Sequence, residues 1–219
     1  MAAAVLALLA GCSSAGKISP PPPGGTAMME TTIRREISLK YLLSLPDSYS
    51  AQGASSPVLL FLHGAGERGD DLELLKKHGP PKLIEAGRKL SFIVVSPQCP
   101  SDSWWPDMTG ELNALIEEVA GSLNVDRSRI YRTGLSMGGF GTWSLIGRYP
   151  GLFAAAAPIC GGGTPFLARR FRDVPVWVFH GAKDPVVPIR YSEDMVAALK
   201  EQNADVRFTV YPEAGHDSW

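Results

Sequence analysis

Ile130-Tyr131-Arg132-Thr133-Gly134-Leu135-Ser136-Met137-Gly138-Gly139 is the stretch that decides the reading of this chain. Its first four residues read as a short strand, and residues 140–149 behind it read as a helix. Between them lies G-x-S-x-G. A turn that sharp forces the serine into strained backbone angles and lifts its hydroxyl above the sheet. It also needs glycines where side chains would clash. The helix beginning at Met137 offers free N–H groups and the positive end of its dipole to a developing oxyanion. The pentapeptide alone is a weak signal; a strand before it and a helix after it make it strong.

Working outward, the rest of the body repeats the strand–helix alternation. Val58-Leu59-Leu60-Phe61-Leu62, Phe92-Ile93-Val94-Val95, Val176-Trp177-Val178-Phe179 and Phe208-Thr209-Val210-Tyr211 are short apolar runs with little alternation. Parallel strands covered on both faces read this way. Residues 154–159 are a weaker member of the set, and Ile37 to Leu45 alternates with period two, as a half-buried strand does. Leu112, Leu115, Ile116, Val119 and Leu123 form one helical stripe, and Tyr191, Met195, Val196 and Leu199 another. The fold class is therefore α/β, a mainly parallel sheet flanked by helices. In such sheets the chemistry sits at the C-terminal ends of the strands.

Three further strand ends carry suitable residues. His63-Gly64-Ala65-Gly66-Glu67-Arg68-Gly69 follows the first apolar run and fits an oxyanion loop, with the Ala65 N–H as partner to that of Met137. His63 precedes the serine, against the Ser, acid, His order of this kind of site, and reads as a loop-holding histidine acting through its ring nitrogens. Glu67 and Arg68 either pair locally or touch substrate. His180-Gly181-Ala182-Lys183-Asp184-Pro185 places Asp184 just beyond a strand, where a triad acid belongs, and Pro185 restricts its backbone. Pro212-Glu213-Ala214-Gly215-His216 places a histidine after the last strand. Asp173 precedes its strand, Asp194 lies in a helix and Asp205 sits before the last strand, so Asp184 is the acid that position favours.

The chain has 219 residues, 45% hydrophobic and 20% charged, with net charge −1. That is ordinary for one globular domain, residues 31–219, and shows no basic surface for nucleic acid. Four histidines and three cysteines show no metal-ligand spacing, and Ser-His-Asp chemistry needs no cofactor. Residues 1–12 form a short apolar run ending Leu9-Ala10-Gly11-Cys12, which resembles a bacterial lipobox with Cys12 as the lipidated residue. No Lys or Arg precedes that run. Residues 13–30 are a Ser/Pro/Gly tether. This layout predicts an exported lipoprotein on the periplasmic face of the outer membrane or the cell surface, touching membrane only through its anchor. The other reading is a hydrophobic tail with an unmodified cysteine.

The elbow, the HGAGERG loop, HGAKDPVVP and the terminal AGHDSW resemble the α/β-hydrolase superfamily. More narrowly, they are similar to small bacterial carboxylesterases of the "predicted peptidase" group, related to feruloyl-esterase and polyhydroxybutyrate-depolymerase-like enzymes. The resemblance covers nearly all of residues 33–219. It implies a triad in which Ser136 attacks an ester carbonyl, His216 shuttles its proton and Asp184 orients His216. Met137 and Ala65 N–H groups then bind the oxyanion. The implied substrate is a short-chain or polysaccharide-linked ester. A peptidase of the same fold and a catalytically silent binding lipoprotein are the alternatives.

Two expectations follow from the resemblance. The span between residues 159 and 174 is too short for a cap domain, so the site should be open. The chain stops three residues after His216, where the family continues into a final helix, so that helix is expected to be missing and the base poorly held. Trp104 and Trp105, on the active-site side, either line an aryl or sugar subsite or pack their loop onto the body. Cys99 and Cys160 follow strands with two others between them, which favours packed thiols over a disulfide.

Overall fold

The computed structural model describes residues 36–219, together with residues 23 and 28. The predicted leader over residues 1–12, Cys12 and nearly all of the predicted tether lie outside the described residues. One compact unit spans Ser38–Trp219.

Among the described residues, seven strands, β1 (Tyr41–Ser44), β2 (Ser56–Leu62), β3 (Ile93–Pro97), β4 (Val125–Leu135), β5 (Ala155–Ile159), β6 (Val176–Gly181) and β7 (Val206–Tyr211), form one sheet. Its order is β1-β3-β2-β4-β5-β6-β7. Only β1 runs antiparallel, against β3; the other neighbours are parallel. Among the described residues, four α-helices, α1 (Gly79–Glu85), α2 (Thr109–Ser122), α3 (Met137–Arg148) and α4 (Arg190–Glu201), alternate with the strands. The expected α/β architecture is thus what the chain forms. Among the described residues, β5 and β6 are joined without a cap domain, by a stretch whose one helical element is the 3-10 segment Pro165–Arg170.

The helices bury the stripes that their periodicity announces, except for Tyr191 at the start of α4, which is exposed. Leu112, Leu115, Ile116 and Val119 of α2 and Met195, Val196 and Leu199 of α4 are buried in one core with Leu60, Leu62, Ile93, Val95, Val176 and Val178 of the sheet. Each such side chain contributes about 1.5–3 kcal/mol. The segment before β3 contains more helix than the sequence suggested, with a 3-10 stretch at Leu72–Lys77 and then α1. Gly79-Pro80-Pro81 hides it from a periodicity search, yet proline suits a first helical turn, where no intrahelical N–H partner is lost.

Register does the positioning. Leu62 of β2 lies opposite Gly134 of β4, Leu135 of β4 opposite Ile159 of β5, Ile159 opposite Phe179 of β6, and Gly181 of β6 opposite Tyr211 of β7. The residues that follow these strands (His63, Ser136, Cys160, Ala182, Pro212) therefore emerge along one edge of the sheet.

Candidate active site

The elbow has the geometry its sequence demands. Ser136 caps α3 with φ 53° and ψ −117°, a region that side chains rarely occupy. It is held there by its N–H to the Ile159 carbonyl, at 2.9 Å, and by its own carbonyl, which accepts from Phe140 N–H at 3.1 Å. The flanking glycines are needed for closeness. A Cβ on Gly134 would come within 2.5 Å of the Gly138 carbonyl oxygen, and one on Gly138 would overlap the Leu62 carbonyl. The elbow crosses β2 and the start of α3 with backbone against backbone.

Three of the predicted residues meet above this turn. His216 Nε2 lies 2.8 Å from Ser136 Oγ, and His216 Nδ1 lies 2.7 Å from Asp184 Oδ2. The Nδ1–H donates to the carboxylate, which leaves Nε2 as the acceptor for the serine hydroxyl. Asp184 Oδ1 accepts from the N–H groups of Val186 at 2.8 Å and Val187 at 2.9 Å. Burial pushes the Asp184 carboxyl up, but the hydrogen bonds from His216, Val187 and Val186 outweigh it and hold it below the usual range. The expected slackness at His216 is not seen. Both ring nitrogens have partners, and Trp219 meets the ring edge-on at 5.3 Å. The competing acids are elsewhere. Asp173 lies 3.8 Å from Arg172, Asp194 lies 3.6 Å from Arg190 on α4, and the Asp205 carbonyl accepts from Val176 N–H at the opposite end of the sheet.

The loop after β2 is fixed by a neutral ring. His63 is buried, accepts Cys99 N–H on Nε2 at 3.0 Å and lies 2.6 Å from the Gly64 carbonyl through Nδ1. Burial lowers it to about 4. Gln98 Nε2 donates to the carbonyls of Glu67 (2.9 Å) and Asp71 (2.8 Å). Arg68 donates to the carbonyls of Ala65 and Ser103, and Glu67 faces His63 and His78 at 4.0 and 3.9 Å. Both side chains thus brace the loop locally. Ala65 opens the 3-10 turn Ala65–Glu67, as Met137 opens α3, and first-turn N–H groups have no intrahelical acceptor. The two turns meet: a Cβ on Gly64 would lie 3.8 Å from Ser136 Cβ.

The tryptophan pair divides. Trp104 is 37% exposed and contacts Phe140, which in turn contacts Tyr191 (ring centroids 6.0 and 5.9 Å). This aromatic row begins one helical turn from Ser136. Trp105 corrects the expectation of a substrate contact. It is fully buried, donates from Nε1 to the His63 carbonyl at 3.0 Å and packs edge-on against the His63 ring. An indole of that size gains more from the core than from the rim, and its N–H finds a backbone acceptor there.

Cys99 and Cys160 are both free and buried. Burial raises Cys99 to about 11 and also raises Cys160. Cys160, Asp184 and His216 bring potential metal-ligating atoms within 4.8 Å of one another. Chain spacing hides this group because its members come from three strand ends. His216 and Asp184 are already committed to each other there. Sequence reasoning also missed His180, Gln98 and Trp219. A signal for the first was available, since a His-Gly pair closes β6 as one follows β2.

A serine at a strained elbow, with its hydroxyl hydrogen-bonded to a histidine that a buried carboxylate holds, on a mainly parallel sheet, defines the α/β-hydrolase class. A family model for dienelactone hydrolases matches residues 97–217, more than half of the chain. The chain belongs to the dienelactone hydrolase family. It is 26% identical over 153 residues to a bifunctional acetylxylan esterase/xylanase of Neocallimastix patriciarum, covering 68% of this chain and 22% of that protein. It is 25% identical over 185 residues to a probable feruloyl esterase C of Aspergillus niger, covering 82% of this chain and 68% of that one. A solved thermostable esterase superposes with TM-score 0.72 at 36% identity, over 83% of this chain and 55% of that one. The chain thus spans about a fifth of the first relative's length and about half of the solved esterase's.

Proposed function

We propose that this protein is a serine carboxylesterase acting on short-chain esters or on acyl esters displayed on polysaccharides, of the acetyl or feruloyl type. The observation that carries the reading is the unbroken hydrogen-bond line from Ser136 Oγ through His216 to Asp184 Oδ2. His216 Nε2 takes the Ser136 proton as the oxygen attacks the ester carbonyl, giving a tetrahedral oxyanion beside the Met137 and Ala65 N–H groups. The C–O bond to the alcohol breaks as His216 returns the proton to it. Water then repeats the sequence on the acyl-enzyme and releases the acid and Ser136. Asp184 stays ionised and steadies the imidazolium.

The absence of a cap among the described residues suits an ester presented on a bulky polymer, and the Trp104–Phe140–Tyr191 row suits an aryl acyl group. Relatives named for acetylxylan and feruloyl ester hydrolysis support the same substrate class. The test is turnover of p-nitrophenyl acetate, butyrate and octanoate and of methyl ferulate, by the parent beside Ser136→Ala. Turnover that vanishes in the variant supports the reading. Turnover that survives it, or a silent parent, overturns it.

Lipidation at Cys12, with residues 13–30 as tether, is the proposed means of attachment to a bacterial outer membrane or cell surface. Labelled palmitate incorporated by the full chain and not by Cys12→Ser is the expected result; no incorporation by either removes the anchor.

A further inference from the structure

Asp184 Oδ2 is shared between two histidines. Beside His216, it lies 3.2 Å from Nε2 of His180, a residue fully buried at the end of β6. That same Nε2 lies 2.8 Å from the Val187 carbonyl. Both of these neighbours only accept, so Nε2 carries a proton, which goes to the Val187 carbonyl with Asp184 Oδ2 close beside it. On the other side of the ring, Nδ1 lies 2.7 Å from the hydroxyl of Ser192 in the first turn of α4. With Nε2 protonated, Nδ1 of the neutral ring accepts that hydroxyl's one proton, and the Gly161 carbonyl, just after β5, lies 2.9 Å from the same oxygen. A single ring thus ties the end of β6, the Asp184–Val187 turn and α4 together. A titratable side chain this buried is costly unless its polar atoms are used. Every one of His180's is, and the reaction described above needs none of them.

We propose that His180 is a positioning residue for the triad acid: through its Nε2–H bond to the Val187 carbonyl it holds the Asp184–Val187 turn and sets its N–H dipole beside Asp184 Oδ2, so that Oδ2 meets His216 Nδ1 while Oδ1 stays on the Val186 and Val187 N–H groups. The proposal rests on the serine-esterase reading. The Nε2–H dipole beside Oδ2 draws on its charge, which limits how strongly Asp184 stabilises the His216 imidazolium. Other ionisable groups near the pair do not substitute for His180. Cys160 is kept neutral by burial, Lys183 and Glu213 form an exposed ion pair with each other, and Asp217 follows His216 on its loop.

The test compares two amides. His180→Gln can return a donor near the Nε2 position, whereas His180→Asn reaches only as far as Nδ1. The pH profile of kcat/KM on p-nitrophenyl acetate is the readout. In His180→Asn, Oδ2 is left to His216 alone, so the acidic limb moves to higher pH by roughly half a unit or more. There kcat falls about 10- to 100-fold with KM held within about twofold, because positioning acts on the chemical step. His180→Gln returns the limb towards the parent's. An unmoved limb in His180→Asn, or equal loss in both amides with no movement, overturns the proposal and leaves the esterase reading intact. If neither amide folds, Ser192→Ala carries the test. It removes only the outer anchor of the ring and should move the limb the same way by less; an unmoved limb there overturns the proposal. A parent without Ser136-dependent turnover instead overturns the esterase reading, and this proposal with it.

Discussion

The loop after β2 and the loops after β6 and β7 both hang on histidines, and they use them in opposite ways. His63 serves as a neutral ring. One nitrogen accepts the Cys99 N–H and the other meets the Gly64 carbonyl, so neither can change its proton without losing a partner. His216 sits between a hydroxyl and a carboxylate that accepts from three N–H groups (those of Val186, Val187 and His216), with the His180 ring beside it. In the proposed reaction the static region presents backbone donors and the charged region shuttles protons. The difference shows that residue type and place after a strand do not define a role. The partners of the second ring nitrogen do.

The largest effect should come from breaking the charged side. Asp184→Asn keeps the shape and loses the charge, leaving His216 with the wrong tautomer for accepting the serine proton. A fall of about 10⁴-fold in kcat is expected. Initial rates on p-nitrophenyl acetate would measure it. A fall of less than tenfold would mean that Asp184 is not the orienting acid.

The static side should break next, and by pH. The ordinary histidine value near 6.5 applies to the unfolded chain, and folded His63 lies at about 4. Between these values the unfolded state binds the extra proton, so stability present above pH 6.5 is lost as pH falls towards 4. The size is about 3 kcal/mol. Asp184 has its folded value depressed, so its contribution is complete above the unfolded carboxylate range and is lost only in stronger acid. Melting curves of the parent and of His63→Gln between pH 7 and 4.5 separate the two regions. The parent's slope in this window should be largely absent from the variant, and equal slopes would remove His63 as the cause.

A third break tests the contact between the regions. Gly138→Ala would drive a methyl into the Leu62 carbonyl just before the β2 loop. Backbone cannot yield as a flexible side chain does, so a loss of about 2–3 kcal/mol or failure to fold is expected. A melting temperature within a degree or two of the parent's would show that elbow and loop are less tightly joined.

Much of this was legible beforehand because it is local. Strand runs, the elbow glycines, and an acid and a histidine each following a strand are all written within a few residues. Strand order comes with the resemblance to the α/β-hydrolase fold rather than from the runs themselves. What was not legible depends on distance in the chain. His180 looks in sequence like a second His63, yet one is held by Cys99 after β3 and the other by Ser192 of α4. Gln98 braces a loop about thirty residues earlier, at Glu67. Neighbouring tryptophans are equivalent on paper, and only the chain's turn at Trp105–Met108 sends one inward.

That pair provides the finest test. Trp105 belongs to the static region, since its indole N–H donates to the His63 carbonyl and its ring packs on the His63 ring. Trp105→Phe removes the donor and some volume and should lower stability by about 1–2 kcal/mol. The loss should fall on all esters alike, because it reaches the reaction only through the loop. Trp104 stands on the open side with Phe140 and Tyr191, so Trp104→Ala should leave the melting temperature within about a degree or two. It should raise KM for methyl ferulate roughly fivefold and leave that for p-nitrophenyl acetate nearly unchanged, which corresponds to one aromatic contact of about 1 kcal/mol. If both substitutions acted on stability alone, the aromatic row would be packing, and the proposed aryl acyl subsite would lose its support.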